Sequence, residues 1–256
     1  MHGKLSSLVE MTRALGRTKA DYVIIGEGNT SCVIDADSFY IKASGQQMKD
    51  ITDQGFVALR FEPILRTLDN PPSTLTEQDG ILQAARIAPL NTLRPSVEVS
   101  FHAMLLHECQ VQMIGHTHPT AVNQLMCSER AADFAFRRRF PDEVVLCGPQ
   151  SVLVPYADPG LPLAFVMRDK LRHYLDKHSE APKVILLENH GVIALGDTAT
   201  EILNITAMVV KAAKIFAGAL MLGTPTYLPD EEVWHIYQRP DEIYRRQLFV
   251  QDNGKT

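Results

Sequence analysis

His116 and His118 stand two residues apart at the end of a β-prone run, residues 111–115. A strand alternates faces, so positions i and i+2 share a side and both imidazoles can reach one ion. Neutral imidazole is a good ligand for zinc and similar first-row metals, although a lone His-x-His pair also reads as two solvated or packed histidines. Pro119 ends the strand and leaves both rings at a sheet edge, where a cleft can form. His190, in Asn189-His190-Gly191 between two apolar runs, offers a third imidazole; the alternative is a histidine exposed at a hairpin tip. Gly191 permits a positive φ that would turn this ring back over the sheet edge. Three histidines with one open position are the ligand set of a catalytic rather than a structural zinc. Glu98 falls near a helix start, where the dipole favours a carboxylate. It is either an ordinary charged helix-start residue or a general acid/base beside the metal.

Two small-residue turns accompany these side chains. Gly26-Glu27-Gly28-Asn29-Thr30-Ser31 looks like a phosphate loop, but it lacks the third glycine of a dinucleotide fingerprint. Strand-like residues follow it instead of a helix, which excludes a Rossmann reading. Successive N–H groups in such a turn still bind anions, and Lys42-Ala43-Ser44-Gly45 would add more donors. Either turn can equally be structural. His102 and His107, on the helix of Glu98, and His173 and His178, on a charged helical face, read as solvated or packed. Arg137-Arg138-Arg139 reads first as a solvated helix face and second as a charged-ligand site.

The elements that must carry these residues follow from periodicity. Helices are expected at residues 4–16, 77–87, from Arg94-Pro95-Ser96 to about Cys109, at 120–126, 129–139 and 161–178, and from the capping box at Thr198 to Leu222. Strands are expected at 22–25, 31–34, 39–42, 56–59, 111–115, 144–146, 152–154, 183–187 and 192–195. Strands interleave with helices throughout, and tight connections point to a largely antiparallel sheet with helices on both faces. Pro225 and Pro229 open a tail whose Trp234, Tyr237 and Tyr244 suit packing on a neighbouring subunit.

The chain has 256 residues, 45% hydrophobic and 21% charged, with a formal charge of -5. That length suits one large domain or two small ones. The charge argues against a nucleic-acid surface, which needs a basic footprint. No apolar segment is read as reaching the roughly 18 to 20 residues that span a bilayer. The N-terminus lacks a signal-peptide pattern, and the four scattered cysteines form neither a disulfide framework nor a zinc knuckle. Cytoplasmic location is the resulting expectation.

Taken together, the residues resemble the class II aldolase/adducin family, the fold of fuculose- and rhamnulose-phosphate aldolases. The resemblance rests on five blocks in family order: residues 26–31, residues 42–45, Arg94-Pro95-Ser96-Val97-Glu98, Gly115-His116-Thr117-His118-Pro119 and Glu188-Asn189-His190-Gly191. It implies a single domain over 1–256, a three-layer α/β/α sandwich with a mainly antiparallel sheet. It further implies a homotetramer with active sites near subunit interfaces, residues 225–256 forming an interface tail. By the same resemblance His116, His118 and His190 hold one divalent ion per subunit, zinc with manganese or cobalt as alternatives. Glu98 becomes the acid/base, and Gly28, Asn29, Ser44, Gly45 and Ser96 become the anion site.

Phosphosugar aldolases of the family often carry two consecutive serines before the glutamate, where this chain has Ser96-Val97. The family's pentulose-phosphate epimerases carry aspartate at the acid position, so Glu98 favours aldolase-like or decarboxylase-like chemistry. The expected reaction is reversible retro-aldol cleavage of a phosphorylated ketose through a metal-stabilised enediolate, on a small-molecule sugar or sugar phosphate. Decarboxylation of a sugar-derived β-keto acid and dehydration are the neighbouring alternatives. A non-catalytic adducin-like interaction domain is the alternative of another class.

Overall fold

The computed structural model describes residues 2–87 and 92–250. Helix α1 (His2–Leu15) precedes three strands, β1 (Asn29–Asp35), β2 (Ser38–Lys42) and β3 (Phe56–Arg60), and then α2 (Phe61–Arg66) and α3 (Leu75–Ala85). Helix α4 (Val99–Glu108) leads into β4 (Met113–Thr117), followed by α5 (Thr120–Met126), α6 (Ala131–Phe136) and α7 (Pro141–Cys147). Strand β5 (Val152–Val154), α8 (Leu161–His178), β6 (Val184–Leu187), β7 (Gly191–Gly196) and α9 (Ala199–Leu222) come next, then α10 (Asp230–Gln238) and α11 (Pro240–Val250).

The strands form one seven-stranded sheet in the order β3-β2-β1-β4-β7-β6-β5. All neighbours run antiparallel except β5 and β6, which are parallel. Period-two alternation divides each strand between two cores. Tyr40, Val184, Leu186, Val192 and Ala194 face α1, α5 and α9, whereas Phe39, Ile41, Ile185, Leu187, Ile193 and Leu195 face α2, α4 and α8. The result is the three-layer α/β/α sandwich expected from the resemblance. Each aliphatic side chain fully buried in either core contributes about 1.5–3 kcal/mol of transfer free energy.

The register of β1 against β4 sets Asn29 opposite His116 and Thr30 opposite Gly115. On the other side, β7 pairs Val192 with Thr117, so the turn before Gly191 arrives at the same end of the sheet. Glu98 sits at the N-terminus of α4, which packs on this face through Phe101.

Several expected elements differ. Residues 22–25 form a loop rather than a strand, with Ile25 in the left-handed region (φ 53); the Tyr22 carbonyl accepts from His118 N–H at 2.8 Å and the Ile24 carbonyl from Glu27 N–H at 3.0 Å. Residues 144–146 lie in α7, because Pro141 with Asp142 and Glu143 makes a strong helix start. The helix expected from residue 94 begins only at Val99, since Ala43 and Pro95 form a β-bridge.

The helix expected over 129–139 spans Ala131–Phe136, and of the arginine run only Arg137 is exposed. Arg138 is 2% exposed and donates to the carbonyls of Gly148, Ala135 and Cys147 and to Ser151 Oγ. A guanidinium whose fork meets that many acceptors, with Glu143 beside it, can be buried.

Helix α9, at 24 residues, is long and apolar enough to cross a bilayer, contrary to the sequence reading. Here it is a core helix, burying Ile202, Ile205, Val209 and Phe216 against α1, α5 and α7. Two of the three tail aromatics, Trp234 and Tyr237, anchor on their own chain, whereas Tyr244 is exposed. Trp234 stacks on His178 with ring centroids 5.6 Å apart, and Tyr237 Oη donates to Glu180 at 3.0 Å.

Candidate metal centre

His116 comes from the last turn of pleat in β4, His118 from just beyond it, and His190 from the β6–β7 turn. Their ligand atoms lie within 4.8 Å of one another, and the three rings meet nearly edge to face. The turn works differently from expectation. Asn189 takes the positive φ (54), anchored by its N–H on the Met126 carbonyl, and Asn123 Nδ2 donates to the His190 carbonyl at 3.0 Å. Gly191 is needed for closeness instead. A Cβ there would stand 2.5 Å from the Thr117 carbonyl oxygen and 2.7 Å from His118 Cδ2. Gly28 combines both demands, with φ 66 and a would-be Cβ 2.6 Å from the His116 carbonyl oxygen.

The charge states follow from burial. His116 Nδ1 donates to the Val192 carbonyl at 3.1 Å, so Nε2 carries the lone pair. Burial, helped by the charge of His190, pushes His116 down to about 3. Burial pushes His118 down to about 2, with His116 and then His190 adding to it. His116 Nε2 lies 3.4 Å from Glu98 Oε2, but a neutral ring at that distance makes no ion pair. Glu98 Oε1 is buried without a hydrogen-bond partner, 3.4 Å from His190 Nε2. With Nδ1 of His116 spoken for, His118 Nε2 stands 3.0 Å from His116 Nε2, and a divalent cation replacing the proton shared there would fit the three-imidazole donor set. His116 and Glu98 form the closed floor, while the side chains of His118 and His190 are 18% and 13% exposed and form the mouth.

A neutral relay orients the carboxylate. Ser31 Oγ donates to His102 Nδ1 at 2.7 Å, and His102 Nε2 donates to Asn29 Oδ1. That leaves the Asn29 amide to donate to Glu98 Oε2 at 2.7 Å and Ser96 Oγ at 2.9 Å. Full burial keeps His102 well below its ordinary range, as this tautomer requires. Burial also raises the Glu98 pKa, opposed by His190, Asn29 and Lys42 in that order. His102, read as merely packed or solvated, is thus the residue missed; its signal was the i, i+4 spacing from Glu98. Glu27 was also missed. Its Oε1 stands 3.9 Å from His118 Nδ1, where a carboxylate steadies a metal-binding imidazole.

Of the expected anion residues, Asn29 and Ser96 are bonded to Glu98, and Ser44 is tied to the Ser96 segment through the backbone. Ser44 N–H donates to the Arg94 carbonyl and Ser96 N–H to the Lys42 carbonyl, so the two segments are stitched together. Ser44 and Ser96 line one groove of about 570 Å³, together with Val97 and Arg94. Both amide protons of Asn29 are engaged, whereas the Ser96 hydroxyl, accepting from Asn29 and from Glu98 N–H, keeps its proton to donate. Gly45 is open, with φ 77.

Residues 6–217 match the model of the class II aldolase and adducin N-terminal domain. The uncharacterized oxidoreductase YuxG of Bacillus subtilis (strain 168) is 24% identical over 197 residues, 74% of this chain. The chain spans only 26% of the length of that relative. An L-fuculose 1-phosphate aldolase structure superimposes with a TM-score of 0.71 at 18% identity, covering 93% of this chain and 96% of its own. YgbL of Klebsiella pneumoniae, whose description leaves aldolase, epimerase and decarboxylase open, gives a TM-score of 0.67 at 20% identity, covering 92% and 98%.

Proposed function

Because the chain belongs to the class II aldolase and adducin N-terminal domain family, we propose that it is a metal-dependent carbon–carbon lyase performing reversible retro-aldol cleavage of a phosphorylated ketose. The observation that carries this reading is the cluster of three imidazoles beside Glu98, whose oxygens lie 3.4 Å from His116 Nε2 and 3.4 Å from His190 Nε2. His116, His118 and His190 would hold one zinc ion, or manganese or cobalt, which supplies Lewis acidity at the substrate's carbonyl and adjacent hydroxyl oxygens. Glu98 handles the proton. When the carbon–carbon bond breaks, the hydroxyl on the departing carbon gives up its proton as it becomes the aldehyde, and the bonding electron pair remains on the other carbon; Glu98 delivers a proton there, so none is gained or lost overall, and it removes that proton in the synthetic direction. Burial that raises its pKa suits a carboxyl that must hold and release a proton near working pH.

Gly28, Asn29, Ser44, Gly45 and Ser96 would anchor the anionic end, supplying orientation rather than bond chemistry. Asn29 acts mainly by fixing Glu98 and Ser96, and Ser96 by donating its free proton. A homotetramer is part of the proposal, and Ile24, Ile25, Met221 and Leu222 are exposed apolar side chains suited to subunit contacts. The four free cysteines fit the reducing cytoplasm.

A second reading, decarboxylation of a sugar-derived β-keto acid, is favoured by Val97. Its side chain is 60% exposed on the groove and brings no hydroxyl where a second serine would. A panel of phosphorylated ketoses and sugar-derived keto acids separates the two: aldehyde release supports the lyase proposed, and carbon dioxide release overturns it in favour of the decarboxylase. Metal analysis of the protein and of His116→Ala tests the site itself. Native protein that carries no metal and takes up none on addition would return the adducin-like scaffold as the better reading.

A further inference from the structure

Helix α8 sorts its cations onto two stripes. Arg168 pairs with Asp69 at 3.0 Å and Arg172 with Glu108 at 3.1 Å. Lys170, His173 and Lys177 stand at i, i+3 and i+7 on another stripe of the same helix. Among the described residues, none of these three has a carboxylate within ion-pairing distance. Their stripe forms one wall of a groove of about 370 Å³, and Phe136 with residues 150–153 at the start of β5 forms the other. Among the described residues no acid lines this groove, in a chain whose formal charge is -5.

Buried groups add donors to this wall. Ser151 is 4% exposed; its Oγ accepts from Arg138 Nη2 at 3.0 Å, and among the described residues its own proton has no acceptor. The hydroxyl of the buried Tyr174 also lacks a hydrogen-bond partner among the described residues. Lys177 donates to Gln150 Oε1 at 3.3 Å, which uses one of its three protons. β5 is an edge strand, but Ser151 N–H is taken by the Ala135 carbonyl at 3.0 Å. Side chains rather than an open backbone edge therefore meet a ligand, which favours a small molecule over a peptide added as a strand. β5 runs parallel to β6, and β6 leads to His190, so the groove lies toward the end of the sheet away from the metal centre.

We propose that this groove is a second ligand site, separate from the metal centre, for a small phosphate monoester with an apolar or aromatic body. Lysine ammonium groups are point charges that suit phosphate oxygens, and the two hydroxyl protons add direction. The exposed face of Phe136 and the half-buried Leu153 receive the body. The volume is near the lower end for ligand cavities, room for a small ester rather than a dinucleotide.

The chain's single tryptophan is placed to report on this groove. Trp234 stacks on His178, which lines the groove and lies 4.4 Å from the Tyr174 ring, centroid to centroid. Phenyl phosphate, with benzoate and phenol as carboxylate and neutral probes, is titrated into wild type, Lys170→Gln/Lys177→Gln and Ser96→Ala, followed by tryptophan emission and calorimetry. Both lysines are exposed, so the double variant should keep its fold, which circular dichroism checks. Phenyl phosphate is expected to change the emission saturably and to bind about tenfold or more weakly to the double variant. Ser96→Ala should stay within about twofold of wild type, and benzoate and phenol should bind wild type at least about tenfold more weakly. No saturable signal by either method, or one undiminished in the double variant, overturns the site. A signal lost in Ser96→Ala instead belongs to the catalytic groove and overturns it too. Benzoate binding as tightly as phenyl phosphate overturns the phosphate assignment.

Discussion

Glu98 has one oxygen held by Asn29 and the other left without a partner, and that division suits a group that orients with one oxygen and reacts with the other. Replacing it by glutamine keeps the hydrogen-bonding shape and removes the proton. Turnover is expected to fall by about 100- to 10,000-fold while metal content stays at the wild-type level. Measured kcat alongside metal analysis checks this, and loss of the metal in parallel would make Glu98 chiefly a ligand. His102→Phe removes the donor that fixes the Asn29 amide, so kcat should drop about tenfold and stability by about 1–3 kcal/mol. The metal ligands were legible because i, i+2 on a strand is a local rule. The role of His102 was not, because its partners Ser31 and Asn29 lie across the sheet on β1, some seventy residues back in sequence.

Two elements carry the geometry. The start of β7 must press its backbone against the rings of His116 and His118, and Gly191 is the residue that allows it. Gly191→Ala is expected to weaken zinc binding by more than about tenfold, since a Cβ at 2.5 Å from a carbonyl must push the strand away. A metal titration that matched wild type would show that the turn yields freely. At the other end of β7, Thr198 Oγ1 accepts from Glu201 N–H and caps α9, so Thr198→Ala should lower the urea-derived stability by about 1 kcal/mol without touching activity. The capping box could be read from four residues. The need for glycine at 191 was visible too, but its reason was mistaken: a positive φ was expected, and Asn189 supplies it.

At the scale of the whole molecule, alternation along each strand made the two-sided sheet legible, whereas the strand order and the burial of Arg138 depend on contacts no local pattern encodes. Burial has a global consequence in acid. His102, His116 and His118 all titrate below their ordinary 6.5 when folded, so below that pH the unfolded chain binds more protons. Stability of the metal-free protein should fall as pH drops from about 6.5 toward the folded-state values near 3 and 2. Glu98, raised by burial, works the opposite way, but His178, also lowered by burial, adds to the three histidines. Urea midpoints of chelator-treated protein at pH about 7.5 and about 5 measure the sign; an unchanged or higher midpoint in acid would refute it.

The site described above is gathered from β1, α4, β4 and the β6–β7 turn, positions that meet only when the entire sheet is paired. An ion bound there would have no equivalent grip on the open chain, so by mass action each tenfold rise in free metal above its dissociation constant adds about 1.4 kcal/mol to the folded state. Starving a cell of that metal should then thin the pool of the protein through proteolysis before any substrate accumulates. Metal supply would set its abundance as well as its rate.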